Sequence, residues 1–281
     1  QRQMCIRDRS LPEALLNGLL VYCSICYYYC MPKILLLTIF LLFIWAFFIE
    51  PHLLVVKHYQ VDSLKGIRIV FASDFHISKF DRGRLRRVVK LINEQNPDIV
   101  ILGGDFIKGH DGKNTLAIEE QTKIFKAINS PVVTVLGNHD GWYDREKVAR
   151  VLNESGIKVL ENSNTKLKGI YISGLEDLQT GSPDINKALD GTASPGILVT
   201  HSPDVYYDVK EKVDLILAGH THGGQVSFPI IGAPVVPSEY GAKFARRVIK
   251  ETDNLMIITK GIGTSILPIR FGSIPEIVVI N

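Results

Sequence analysis

No cysteine stands after Cys30 in this 281-residue chain; Cys5, Cys23, Cys26 and Cys30 are all there are. Everything downstream therefore lacks a disulfide to hold it and a thiolate to offer a metal. A charge excess is missing too. Lys and Arg number 32 against 29 acids, a net +3, so bulk electrostatics do not point to nucleic acid and any basic patch is local. No internal repeat and no low-complexity tract is present, which excludes solenoids and tail-like segments. Apolar residues, at 46%, are plentiful enough for one large α/β domain with a substantial core.

Much of that apolar content lies early. Residues 34–49 (ILLLTIFLLFIWAFFI) carry no charge and as a helix would span roughly 24 Å at ~1.5 Å per residue. A hydrocarbon core is ~30 Å thick; Met31, Pro32 and the LLVV after Pro51 can supply the remainder. A cleaved signal peptide is the competing reading, because Lys33 precedes the run. FFIEP holds no small-x-small cleavage site, so an uncleaved membrane anchor over 31–50 is expected. Orientation stays open, with Lys33 before the segment and Lys57, Lys65 and Arg68 after it. The opening QRQMCIRDR is unlike the rest and Met31 reads as a natural start, so 1–30 is set aside as a leader or non-native segment.

Beyond a linker with an edge strand (51–66), five stretches share one design: IRIVFASDFH (67–76), DIVILGGD (98–105), PVVTVLGNHD (131–140), GILVTH (196–201) and VDLILAGHTH (213–222). In each, a short β-branched run of buried-strand length stops at a small residue and delivers polar side chains. Carboxyl ends of strands in an open α/β sheet gather on one edge, where ligands bind. Helical spacing of Leu85, Val88, Val89 and Ile92, with helices near 115–128 and 144–155, completes a strand–helix alternation. Short strands are expected at 157–160 and 167–173. After Gly223 the pattern changes to a loop or hairpin over 224–240, then runs 244–250, 255–260 and 276–280 that read as strands of a second sheet. The expectation is a single α/β catalytic domain over 67–281.

Eight polar residues converge at the strand ends: Asp74, His76, Asp105, Asn138, His139, His201, His220 and His222. One histidine alone would be a satisfied core residue; five of the chain's eight in these blocks favour a metal centre. Two divalent ions about 3.5–4 Å apart need a bridging carboxylate, with oxygen and imidazole filling each shell. Asp74-x-His76 can turn both side chains to one ion, Gly103-Gly104 lets backbone approach Asp105, and Thr221 between His220 and His222 is expected to face away.

The blocks SDFH, GGD, GNHD, THS and AGHTH, in this order, resemble the calcineurin-like metallophosphoesterase family over residues 67–281. The resemblance implies a four-layer αββα sandwich, two mixed sheets flanked by helices. It implies one ion on Asp74, His76, Asp105 and His222, and a second on Asp105, Asn138, His201 and His220. Mn, Zn, Fe or Co would suit such donors. His139 would protonate the leaving oxygen, with Asp140 orienting it through its other ring nitrogen. Hydrolysis would use a metal-bound hydroxide, since such ions lower the pKa of water from about 15.7 to about 7.

Protein Ser/Thr phosphatases of the family carry an arginine-bearing G-D-x-x-D-R-G block; GGDFIKGH stands here instead. The run GHTHGGQV, the anchor and the Glu50-Pro51 after it resemble a bacterial membrane-associated phosphodiesterase branch, some of whose members hydrolyse UDP-2,3-diacylglucosamine in lipid A synthesis. That implies a membrane lipid or lipid-linked phosphoester substrate and a place at the cytoplasmic membrane, with no nucleic-acid partner. A broad-specificity phosphodiesterase or phosphatase on wall polymers or nucleotides, and a non-catalytic scaffold, are the alternatives. Arg82, Arg84 and His110 are candidate substrate contacts. Against them stand a solvated helix face for the arginines and a mobile polar loop for His110. The apolar loop 227–241 could line an acyl groove, rest on a bilayer, or pack beneath the second sheet.

Overall fold

A computed structural model of the chain describes residues 13–281, with side chains from Tyr27 onward except Tyr28. The leader reading for residues 1–12 lies outside the described residues. The chain divides into two units, one ending at Trp45 and one running Ala46–Asn281.

The first unit holds the helix α1 (Glu13–Ile44), which passes through Pro32. The stretch Tyr29–His52 is long and apolar enough to cross a membrane, with mean hydropathy 2.4 and only 11% of its apolar window buried. A core helix of a soluble protein would be mostly buried; this one is not.

In the second unit the chain forms β1 (Val55–Tyr59), β2 (Ile69–Ala72), α2 (Arg82–Glu94), β3 (Ile99–Leu102), α3 (Ile118–Phe125), β4 (Val132–Thr134), α4 (Asn138–Glu154) and β5 (Lys158–Val159). It continues through β6 (Ser163–Leu167), β7 (Ile170–Gly174), α5 (Ile185–Leu189), β8 (Gly196–Val199), β9 (Leu215–Ala218), β10 (Val248–Ile249), β11 (Met256–Ile258) and β12 (Glu276–Ile280). Two mixed sheets result, ordered β1-β12-β2-β3-β4-β5 and β10-β11-β9-β8-β7-β6. Because side chains alternate along a strand, one residue set of each sheet meets the other sheet. Phe71, Ile101, Val133 and Val278 pack there with Ile172, Val199, Leu217 and Ile257. The alternate set, including Val70, Val100 and Val279, packs on Leu85, Val88, Phe125 and Val148 of the flanking helices. Leu198, Ile216 and Ile258 do the same against Tyr206 and Phe244 on the far side. Burial on both faces is why these strands read as unbroken apolar runs.

Four expectations need correction. Residues 276–280 are not in the second sheet: β12 enters the first, antiparallel to β2 (Val278↔Phe71) and parallel to β1. The five blocks do not share one sheet edge either, because β8 and β9 lie in the second sheet. Two sheet edges meet instead. The strand expected at 167–173 is a hairpin, β6–β7, whose turn residues Lys168 (φ 51°) and Gly169 (φ 87°) both have the left-handed backbone such tight turns require. The helix expected at 144–155 starts at Asn138 and is broken at Asp144, so Asn138, His139 and Asp140 form its first turn.

Candidate metal centre

At the sheet edges the backbone turns left-handed at Asp74 (φ 55°), His76 (40°), Asp105 (57°), His220 (68°) and His222 (51°). Such conformations are uncommon outside glycine, with Asp and His among the more tolerant residues, and each costs about 1–2 kcal/mol. Interlocking loops hold them. The Asp74 N–H donates to Gly104 O (3.0 Å), the His76 N–H to Asp105 O (2.9 Å), and the Gly219 N–H to His201 O (3.0 Å). A Cβ on Gly104 would stand 2.4 Å from Gly137 N, so glycine is what lets the β3 and β4 loops touch.

These turns aim the donors at two neighbouring points. Around the first, His76 Nε2 lies 3.2 Å from His222 Nε2 and His222 Nε2 lies 3.5 Å from Asp74 Oδ1. Around the second, Asn138 Oδ1 lies 3.0 Å from His201 Nε2 and 3.0 Å from His220 Nδ1. Asp105 Oδ2 sits between them, 3.3 Å from His76 Nε2 and 3.3 Å from His201 Nε2. All seven side chains are buried. The fit to cations can be tested on one atom: Asp74 Oδ2 is buried without a hydrogen-bond partner. A desolvated carboxylate oxygen lacking a donor is costly, and a cation satisfies it. The oxygen-and-imidazole donor set suits two divalent ions.

Burial holds Asp74 above the usual carboxylate range. Burial lowers His201, but the Asp105 carboxylate outweighs it and leaves the ring well above its ordinary pKa. Cations must displace those protons, so their affinity falls as pH falls.

His139 sits beside the first group, its ring 4.6 Å from that of His76. Its Nδ1 is 3.0 Å from Gly109 O, and Nε2 is left toward Ser265 Oγ at 3.4 Å. Burial lowers this imidazole to about 4, opposed by the Asp105 charge. The expected orienting role of Asp140 is not what the structure has. Its carboxylate accepts from the backbone N–H groups of Asp105 (2.8 Å), Phe106 (2.9 Å), Ile107 (3.1 Å) and Gly137 (3.0 Å). The reason is helical geometry: Asp140 is the third residue of α4 and folds back over the helix N-terminus. It clamps the Asp105 loop to the β4 loop, while Gly109 orients His139.

Two other expectations fail. Arg82 pairs with Glu120 at 2.9 Å and lines a groove between α2 and α3 rather than the metal cleft. Arg84 bonds the carbonyls of Pro51 and Ile262. Neither arginine lines the cleft, because α2 faces α3 at that end. Thr221 borders the cleft, with its hydroxyl buried and unpartnered. His110 does reach the site, with its ring 5.3 Å from His139 and 4.2 Å from Trp142.

Sequence reasoning missed Trp142, Gln179 and Arg270. Gln179 Nε2 lies 3.4 Å from His220 Nε2, and Asp177 fixes that turn by accepting from the Gln179 N–H at 3.0 Å. The signal was available: β7 is a further strand that stops at glycine and delivers acids (YISGLED). Arg270 is fully buried, with Nη2 3.2 Å from His222 Nδ1; its isolation in an uncharged run was the only cue. Gln179→Ala is expected to keep the fold and weaken binding of the second ion about 10–100-fold, as loss of outer support does. Calorimetric titration with Mn²⁺ checks this, and unchanged two-ion binding would remove Gln179 from the site.

The cleft of about 560 Å³ has a lining of two kinds. Asp105, Asn138, His139, His220 and His222 are among its polar residues; Val226, Pro234, Val235, Ile266, Leu267 and Ile269 are apolar.

The calcineurin-like phosphoesterase model matches residues 67–224. An uncharacterized metallophosphoesterase of Bacillus subtilis, YkuE, is 30% identical over 254 residues, 84% of this chain and 87% of YkuE. The phosphodiesterase YaeI of Escherichia coli is 28% identical over 229 residues, 78% of this chain and 83% of YaeI. A zebrafish transmembrane protein with a metallophosphoesterase domain is 30% identical over 243 residues, 77% of this chain and 53% of that protein. The chain belongs to the calcineurin-like phosphoesterase family and, with it, to the metal-dependent phosphoester hydrolases.

Proposed function

We propose that this chain is a dinuclear-metal phosphodiesterase of the bacterial cytoplasmic membrane. Its substrate is a lipid-linked phosphodiester or pyrophosphate, with UDP-2,3-diacylglucosamine as the first compound to test. The observation that carries the reading is the cleft itself, whose lining combines the polar donors with a set of aliphatic side chains. A phosphate bearing acyl chains matches both surfaces at once. YaeI, named a phosphodiesterase, supports the reaction class.

Asp74, His76, Asp105 and His222 would hold one ion; Asp105, Asn138, His201 and His220 the other. Two such ions supply an acidified water and offset charge on the phosphoryl oxygens. His139 presents Nε2 to the leaving oxygen, because Gly109 occupies Nδ1. With its pKa lowered to about 4, His139 is neutral near pH 7 before substrate binds. The negative charge of the phosphate recruits its second proton. Asp140 positions the Asp105 loop.

A second reading, a phosphodiesterase of broader scope on nucleotides or wall polymers, draws support from Trp142. That ring lines the cleft 5.0 Å from His139, where a planar leaving group could stack. The full chain reconstituted in vesicles with Mn²⁺, with Asp105→Asn as blank, separates the two. Strong turnover of UDP-2,3-diacylglucosamine beside weak turnover of a soluble aryl phosphodiester supports the lipid substrate. The reverse discards it, and silence on both leaves a scaffold.

A further inference from the structure

We infer that the rim of the cleft is a bilayer-docking surface, formed by the 228–232 hairpin and the 265–267 loop. This rests on the membrane reading of the N-terminal span and not on the identity of the substrate.

Residues 224–238 and 261–269 contain no charged side chain. Ile230 is 97% exposed, Ile231 74%, Val235 76%, Ile266 97% and Leu267 56%. Single exposed aliphatics need no explanation, but five on two adjacent loops form a patch that water disfavours. Their display is built. Phe228 and Gly232 exchange two backbone hydrogen bonds of 2.9 Å, placing both isoleucines at a hairpin tip. The Phe228 ring packs on Phe271 at 5.5 Å. Gln225 ties this loop to the other, donating to Leu267 O (3.0 Å) and accepting from the Ser265 N–H (2.8 Å). Ile266 has φ 52°, a conformation a β-branched residue adopts only under strain. The turn holds its side chain outward, away from any protein core.

A lipid surface, rather than a protein or a second copy of the chain, is the occupant for a reason of connectivity. Ala46–His52, the last part of the membrane-crossing stretch, belongs to the catalytic unit. The Arg270 N–H donates to Ala46 O at 3.0 Å, and the Ser273 N–H to Glu50 Oε1 at 2.6 Å. Ile266 is four residues from Arg270 and so lies within roughly 14 Å of that junction. The chain thus leaves the bilayer beside the loop bearing Ile266 and Leu267. Interfacial residues insert about 5–10 Å into the headgroup and acyl boundary. Val235, Ile266 and Leu267 also line the cleft, so a docked rim opens the site onto lipid.

The test uses the full chain with its native cysteines replaced by serine and one environment-sensitive fluorophore attached through Phe40→Cys, Ile230→Cys, Ile266→Cys or Lys65→Cys. Vesicles of phosphatidylethanolamine and phosphatidylglycerol carry a headgroup-proximal spin-labelled lipid as quencher. Quenching at 40, 230 and 266 but not at 65, which precedes β2 at the end remote from the cleft, is the expected result. Quenching at 40 alone overturns the proposal. So does no quenching at 40, since the span is what brings the rim to lipid, and so does quenching at all four positions. Ile230→Asp with Ile231→Asp should reduce quenching at 266 several-fold while leaving turnover of a soluble aryl phosphodiester unchanged. Docking is read without catalysis, so a docked but inactive chain and an active but undocked one are separate outcomes.

Discussion

His139→Ala is expected to bind both ions as the native chain does and to lose about 10²–10⁴-fold in turnover, the usual worth of a positioned acid. The hydrogen bond from His139 to the metal donors is made by its backbone, whose N–H donates to Asp105 Oδ1 at 2.8 Å, and alanine keeps it. Alanine also suits the first turn of α4. What disappears is the ring, and with it the Nε2 that faces the cleft. The discriminating readout is leaving-group dependence. A nitrophenolate leaves with little help, so the deficit should shrink there and be largest for an alkyl leaving group. A uniform loss across leaving groups, or loss of metal by elemental analysis, would remove the acid role.

Asp105→Asn should release both ions together. Its Oδ2 stands 3.3 Å from a histidine of each donor set, so one substitution takes the shared anion from both. The backbone should not object. Asp105 has φ 57°, and asparagine tolerates that region as aspartate does, while its carbonyl can still accept the His139 N–H. The defect is therefore electrostatic rather than a failure to fold. Metal affinity and turnover should fall by more than the ~10–100-fold that outer-sphere losses cause, with thermal unfolding still cooperative. One tightly held ion per chain in elemental analysis would contradict the bridging role.

The legible parts of this protein are the local ones. An apolar run, a small residue and a donor lie within ten consecutive positions, so the ends of β2, β3, β4, β8 and β9 announce both a buried strand and the residues it delivers. Spacing also places Asp74 with His76, and His220 with His222. The same short-range reasoning has no access to partners. Strand propensity locates β12 but carries no information about which strand it joins, and its neighbour β2 lies some two hundred residues away. Asp140 is adjacent to His139 in sequence, yet helical geometry sends the carboxylate to backbone amides and gives the ring nitrogen to Gly109. Arg84, by sequence a candidate substrate contact or part of a solvated helix face, instead ties the carbonyls of Pro51 and Ile262.

The sequence alone determined which side chains could bind metal and that they sit at strand ends, because both follow from contacts within a few residues. The tertiary structure decided that two sheet edges, not one, assemble the centre. It also decided that Gln179 and Arg270 support it, and that aliphatic residues share the cleft and reach its rim. Those facts depend on hydrogen bonds and packing between segments tens to hundreds of residues apart, settled only when the whole core closes.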